Sequence, residues 1–316
     1  MKKITGHRFS QISRWMARNA RPLEWALWRL HFHSGSREDV AAALAAYQNS
    51  DGGFGHALEP DNWNPESSPY VTLFAVNLLR DIGIQDLAHP LLAGALRFFE
   101  HTPYRSDFGW HFNLPSSDDH AHAPWWGYGD GPSATQSLGL TAEIAGLALR
   151  SASPGSSLYR MAEDYAIQAM EIFMGDGEYG DMGIGGAVAL LRDLEAAGLG
   201  NRFDLPALRD RLKALVDRSI VREPDKWQYY GVRPSNYIHG PDSPWLPGNE
   251  DIVEAELDYL VDTLPQEDSV WGVPWTWFDN NERYARQWAI SENWWRAIKG
   301  MESVRLLRAF GRIDVQ

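Results

Sequence analysis

The chain has 316 residues and 44% hydrophobic content, enough for one large globular domain or two ordinary ones. A net charge of −13 argues against nucleic acid or an anionic membrane as a partner. The lack of cysteine excludes disulfides and thiolate metal sites and points to a reducing compartment.

Met1 to Ser10 carry two lysines with no apolar core behind them, and no apolar run is long enough to span a bilayer. The expectation is a cytoplasmic protein without a membrane span. Helical spacing of Phe9, Ile12, Trp15 and Met16 predicts a first helix over Arg8 to Asn19. A second starts at Pro22, a favoured residue in a first turn, and runs to about His33. An alanine-rich helix follows, Glu38 to Tyr47.

Next comes Gln48-Asn49-Ser50-Asp51-Gly52-Gly53-Phe54-Gly55. Two glycines after Asp51 let the chain turn through φ > 0, Phe54 can fold back as an apolar plug, and Gln48 can serve open backbone groups at helix ends. This stretch resembles the QxxDGGF-type repeat of the terpenoid cyclase and protein prenyltransferase superfamily. The resemblance implies an α/α toroid of helical hairpins and, as ligand, an isoprenoid-type small molecule.

After the loop His56 to Glu66, helices are predicted over Ser67 to Ile82 and Asp86 to His101. A long connection, Thr102 to Pro132, leads to Ser133 to Arg150, with Ser133 as the expected N-cap. Helices then follow over Ser157 to Met174, Asp181 to Ala197 and Asp204 to Ile220. Val221 to Gly248 is a long loop; Glu250 to Leu264, the connection Pro265 to Asn281, and a last helix over Ser291 to Phe310 complete the chain. Strand-like alternation is almost absent. An aromatic–glycine landmark recurs at 52–54, 108–110, 179–180, 230–231 and 271–272, at irregular gaps. The pattern predicts an all-α fold, a single domain over 1–316 built as an α/α toroid of about five to six hairpins, with every long connection at one end. Elaborated loops on one face of a regular scaffold carry function more often than its core does.

Those connections hold most of the 15 tryptophans, together with histidines and carboxylates. Flat aromatic faces beside acids suit sugars, which stack on indole, and polyisoprenes, whose carbocations are stabilised by ring quadrupoles. Two polar loops stand out, His56 to Asn64 and Asn236 to Asp242. Glu59 and Asp61 are the first candidates for acid and base, with His122 and His239 as proton carriers. His56, Trp63, Trp110, Trp125, Trp126, Asp130, Tyr237, Trp245, Glu250, Trp275 and Trp277 are the candidate ligand-binding residues.

The superfamily's catalytic signatures are missing: there is no DxDD, no DDxxD or DDxxE, and no cysteine for a zinc-bound thiol site. Asp118-Asp119-His120-Ala121-His122 fits zinc or iron only with a further ligand such as His56, Asp61 or His239, and the spacing assigns no metal. The cofactor stays unknown. The readings left open are a terpenoid cyclase- or prenyltransferase-like enzyme, a carbohydrate-active enzyme of (α/α)6-barrel type, argued by analogy of fold, and a non-catalytic binding or scaffold protein.

Overall fold

The structure is a computed structural model that describes residues 1–267 and 270–314. Two positions of the predicted connection Pro265 to Asn281, 268 and 269, lie outside the described residues. Among the described residues the fold is all-α apart from one two-residue hairpin, β1 (Arg105–Ser106) paired antiparallel with β2 (Gly109–Trp110). No described helix is long and apolar enough to cross a membrane.

The helices are α1 (Gly6–Asn19), α2 (Pro22–Phe32), α3 (Arg37–Ala45), α4 (Pro69–Asp81), α5 (Pro90–His101), α6 (Ala134–Ser151), α7 (Ser157–Met174), α8 (Gly180–Ala196), α9 (Leu205–Ser219), α10 (Glu250–Thr263), α11 (Asn280–Arg283) and α12 (Ala285–Ala309). The chain packs as two compact units: the described residues of Met1–Leu44 with Ile220–Gln316, and Ala45–Ser219.

In the first unit α1, α2 and α12 pack on one another, and α12 also meets α10 and α11. Trp28 is fully buried between Phe9, 5.7 Å away, and Phe32, 4.4 Å away. Ile4 pairs with Ile313 in a parallel bridge. Arg312 is fully buried and reaches Glu254 and Asp258 of α10. Glu256, also buried on α10, accepts from Ser235 N at 2.8 Å and from Ser235 Oγ at 2.5 Å. Burial pushes its carboxyl above the usual range, against the pull of those two hydrogen bonds. Glu256→Ala would strip both donors of their partner. It should cost about 2 kcal/mol, read as a lower urea midpoint at unchanged slope.

In the second unit the helices form two rows. One is α4–α6–α8 and the other α5–α7–α9, with α6 at the centre of the first and α7 at the centre of the second. The α6–α8 contact is backbone to backbone: a Cβ on Gly139 would stand 2.2 Å from Met182 O, and one on Gly186 would stand 2.0 Å from Gly139 O.

The Gln48 motif ties α4 to α5. Gln48 Nε2 donates to Gly52 O at 2.9 Å and to Leu91 O of α5 at 3.0 Å. Asp51 Oδ1 accepts from Gly53 N at 2.9 Å and Ser67 Oγ at 2.7 Å, bracing the turn; it caps no helix. Gly52 sits at φ +93°, where a Cβ would meet Gly94 O at 2.3 Å. Phe54 is fully buried and its N–H donates to Thr72 Oγ1 of α4 at 3.0 Å.

Three of the four other aromatic–glycine landmarks close helix ends; at 230–231 the Tyr230 side chain is exposed instead. A helix leaves its last carbonyls without intrahelical donors. Trp110 Nε1 donates to Phe99 O in the last turn of α5 at 3.0 Å. Tyr179 Oη donates to Ile172 O in the last turn of α7 at 2.6 Å. Trp271 Nε1 donates to Leu260 O in the last turn of α10 at 2.9 Å. The landmark is a C-terminal plug whose apolar body fills the gap between helices while its polar tip satisfies the backbone.

Candidate functional site

The loop between the Gln48 motif and α4 is built almost wholly from its own hydrogen bonds. His56 and Ala57 both take left-handed backbone angles, φ 58° and 55°, which side chains with a Cβ rarely adopt. His56 N donates to Asn64 O at 3.0 Å, closing the loop across its base. Asn62 Oδ1 accepts from Asn64 N at 3.1 Å, and Asn64 Oδ1 accepts from Glu66 N at 3.0 Å, two successive side-chain turns. Asn64 Nδ2 continues to Ser116 Oγ at 2.8 Å, which donates to Glu66 Oε2 at 2.8 Å. Asn49 bonds the His56 ring at 2.8 Å, Pro65 O at 3.0 Å and Ser67 Oγ at 3.0 Å. This frame holds Glu59 and Asp61 with only 3% and 1% of their surface exposed.

A second loop pairs with the first. Trp63 N donates to Ala121 O and Ala123 N to Asp61 O, both at 2.9 Å, and Asn62 lies opposite His122. In such an antiparallel pair, facing residues share one side and their neighbours take the other. Asn62 and His122 therefore share a face, and the Asp61 side chain leaves on the opposite one. His122 Nδ1 lies 2.8 Å from His120 O, so Nδ1 is the donor in that bond. Asp118 Oδ1 stands 4.0 Å from Nε2 and also accepts from Tyr128 N at 2.8 Å, which anchors the following segment. Asn113 braces the same segment through Gly127 O and Ser133 N. Phe112 stacks on Trp126 at 4.3 Å, and Tyr70 meets each ring edge-on at 5.0 Å.

Among the described residues no group of three or more His, Asp or Glu could hold a metal ion. The Asp118–His122 stretch instead combines a braced turn with a buried imidazole. No family model, curated protein or solved structure matches the chain.

The sequence-predicted candidates divide between the two units. Glu59, Asp61, His122 and Trp126 are buried in the second, where Trp63 and Trp125 are half-buried and His56 and Asp130 exposed. Trp110 lies in that unit's core as the α5 plug, against Tyr165 at 5.0 Å. In the first unit Tyr237, Trp245 and Trp277 are buried, Trp275 is half-buried against Trp295 at 5.3 Å, and His239 is exposed. Glu250 turns its exposed carboxylate back to Gly248 N at 2.8 Å, closing the entry to α10.

Sequence reasoning passed over two acids of the second unit. Glu143 accepts from Asn77 Nδ2 at 2.9 Å, and burial raises its carboxyl above the usual range against the opposing pull of Asn77, Arg192 and Arg80. Its signal was visible: it is the only charged residue between Asp130 and Arg150, inside an otherwise apolar helix. Asp193 is fully buried on α8 and bound by Arg80 at 2.9 Å, Arg192 at 3.1 Å and Arg150 at 3.2 Å. Burial alone would raise it, but these arginines outweigh burial and hold it below the usual carboxylate range.

Proposed function

We propose that the chain is a small-molecule enzyme of α/α-toroid type that moves protons on an apolar, isoprenoid-like substrate, with Glu59 and Asp61 as its acid–base pair. The observation that carries this reading is the burial of both carboxyls on a loop strained at His56 and Ala57 and braced from both sides. A catalytic acid needs a fixed position and little competing water more than it needs a signature motif. Left-handed non-glycine residues persist where the surroundings over-determine them, as at functional loops. The two rows of helices in the second unit agree with hairpins laid side by side, the local requirement of a toroid.

An open sugar-binding groove would present indole faces to solvent. None of the 15 tryptophans is fully exposed and seven are half-buried, so the preference for an isoprenoid over a glycan rests on the superfamily resemblance and not on indole exposure. The test is thermal unfolding of the full chain with farnesyl diphosphate and magnesium, squalene, and a set of oligosaccharides. A ligand at about 100 times its Kd stabilises by about 2.7 kcal/mol, so an isoprenoid should raise the midpoint by about 5 °C or more. Asp61→Asn should abolish turnover of whichever isoprenoid binds, while that isoprenoid still raises the variant's own midpoint. A shift with an oligosaccharide and none with isoprenoids would overturn this reading in favour of a carbohydrate-active enzyme. No response to any of them would favour a scaffold role.

A further inference from the structure

An open cavity of about 800 Å³ lies in the second unit between the last turn of α5, the β1–β2 hairpin and α7. Small-molecule pockets usually enclose about 300–1,000 Å³. On α7 the lining residues Ser157, Met161, Asp164, Tyr165 and Gln168 recur at helical spacing, so they share one face. Tyr165 is buried and forms the floor. Its Oη donates to Ser106 O at 2.7 Å, its ring meets Trp110 at 5.0 Å, and Trp110 N donates to Thr141 Oγ1 of α6 at 3.0 Å. The hairpin is thereby pinned to two helices, and its Arg105 and Asp107, two residues apart, both line the cavity. None of the residues of the Glu59–Asp61 loop does.

The charges of this cavity do not satisfy one another. Glu100 is occupied: one oxygen accepts from Ser157 Oγ and the other stands 3.9 Å from His101 Nδ1. Arg105, Asp107 and Asp164 form no ion pair among the described residues, and the Arg105 guanidinium donates only to the thioether of Met161, a weak acceptor. All three act on the Tyr165 hydroxyl. Burial raises it above its ordinary value, Arg105 pulls it down, and Asp107 and Asp164 push it further up. A simple cation would be repelled by Arg105, and a simple anion by two carboxylates. A ligand with one charge of each sign suits all three. We propose that the cavity binds a free amino acid with an apolar side chain, Arg105 holding its carboxylate and Asp107 and Asp164 its ammonium. A guanidinium fork matches a carboxylate with two parallel hydrogen bonds, and aspartates accept from an ammonium. Met161 and the ring of Tyr165 are the apolar surface left for the ligand's side chain. This site is additional to the isoprenoid reading and does not depend on it.

The test is calorimetric binding of three probes to the full chain at neutral pH: methionine, methioninamide, which lacks the carboxylate, and N-acetylmethionine, which lacks the ammonium. Methionine should bind at least about tenfold more tightly than either analogue, as expected when a charge-assisted contact is lost. Arg105→Gln should erase its advantage over methioninamide and keep part of that over N-acetylmethionine. The double variant Asp107→Asn with Asp164→Asn should do the reverse. All three side chains are exposed, so neither variant should fail to fold. Methionine binding no tighter than that of one analogue, or advantages that both variants leave unchanged, would overturn the site. So would the absence of methionine binding to wild type up to about 10 mM.

Discussion

Gly186→Ala should be among the most damaging single-methyl additions in this protein, and Gly185→Ala, one residue away, should stabilise it. Both glycines lie inside α8, where alanine is favoured over glycine by about 1 kcal/mol through backbone entropy. Gly185 has open space where a Cβ would go, so nothing offsets that gain. At Gly186 the new methyl would stand 2.0 Å from Gly139 O and 2.6 Å from Gly139 Cα. Those are backbone atoms of α6 and cannot swing aside as a flexible side chain does. The two helices must separate along their whole contact, which Gly139 and Gly146 keep close from the other side. The cost should reach about 3 kcal/mol or more, the upper range for overpacking, and a net loss should survive the helix-propensity gain. Urea unfolding followed by circular dichroism checks both variants, and the result to look for is opposite signs. A mild effect of Gly186→Ala would mean that α6 and α8 can slide apart, and that the row α4–α6–α8 is looser than its backbone contact implies.

The helices of this chain were largely legible from sequence because their apolar stripes are long. α7 runs over Ser157–Met174, as its periodicity predicts, and Ser156 caps it by accepting from Tyr159 N at 3.2 Å. Ser133 does precede α6, but its side chain makes no cap bond; its N–H donates instead to Asn113 Oδ1 at 2.9 Å. A tertiary partner thus holds the cap residue's own N–H, while its hydroxyl does not serve the first-turn N–H groups as the local rule expects. α12 begins at Ala285, six residues before the predicted Ser291, and Ser291 is fully buried within it. The polar and aromatic segment Ala285 to Ile290 has no clean stripe and none of its residues is buried; Trp288 leans on Trp277 at 5.8 Å.

The candidate site was legible only in part. Glu59 and Asp61 announce themselves as acids in a glycine-, proline- and asparagine-rich loop, but their burial depends on Asn49, Asn62 and Asn64 folding that loop on itself. The pairing of Asn62 with His122 joins two loops distant in sequence, and no local pattern encodes it. The tryptophans show the limit most clearly. Trp110 and Trp271 fall in long connections, where composition reads them as a ligand wall, yet each N–H closes a helix end. Composition reports that an aromatic is there; only the positions of unsatisfied carbonyls say what it is for.

Asp193→Asn should lower stability by about 3 kcal/mol at neutral pH, the order expected when one partner of a buried ion cluster is removed. Asp193 is fully buried, and its carboxylate gathers Arg80 from α4, Arg150 from α6 and Arg192 from α8, so one charge ties together the whole row. Asparagine keeps the shape but brings an NH2 donor against guanidinium donors and leaves Arg80, itself mostly buried, without a counter-charge. The pH dependence gives an independent signature. Because the folded-state carboxyl sits below its ordinary value of 3.8, its contribution is complete above that value and is lost as pH falls through the lower, folded one. Glu143 and Glu256 have the opposite sign: burial raises both above 4.5, so their contribution is present below that value and is lost as pH rises through the folded ones. Wild type should therefore lose stability on both sides of a mildly acidic optimum. Asp193→Asn should lose most of the acid limb and keep the alkaline one, so the gap between the two proteins should be widest near neutrality and narrow below about pH 4. Urea midpoints from pH 3 to 8 would read this directly. A gap constant across that range would show that Asp193 acts by shape and packing, and that the three arginines are held by something other than its charge.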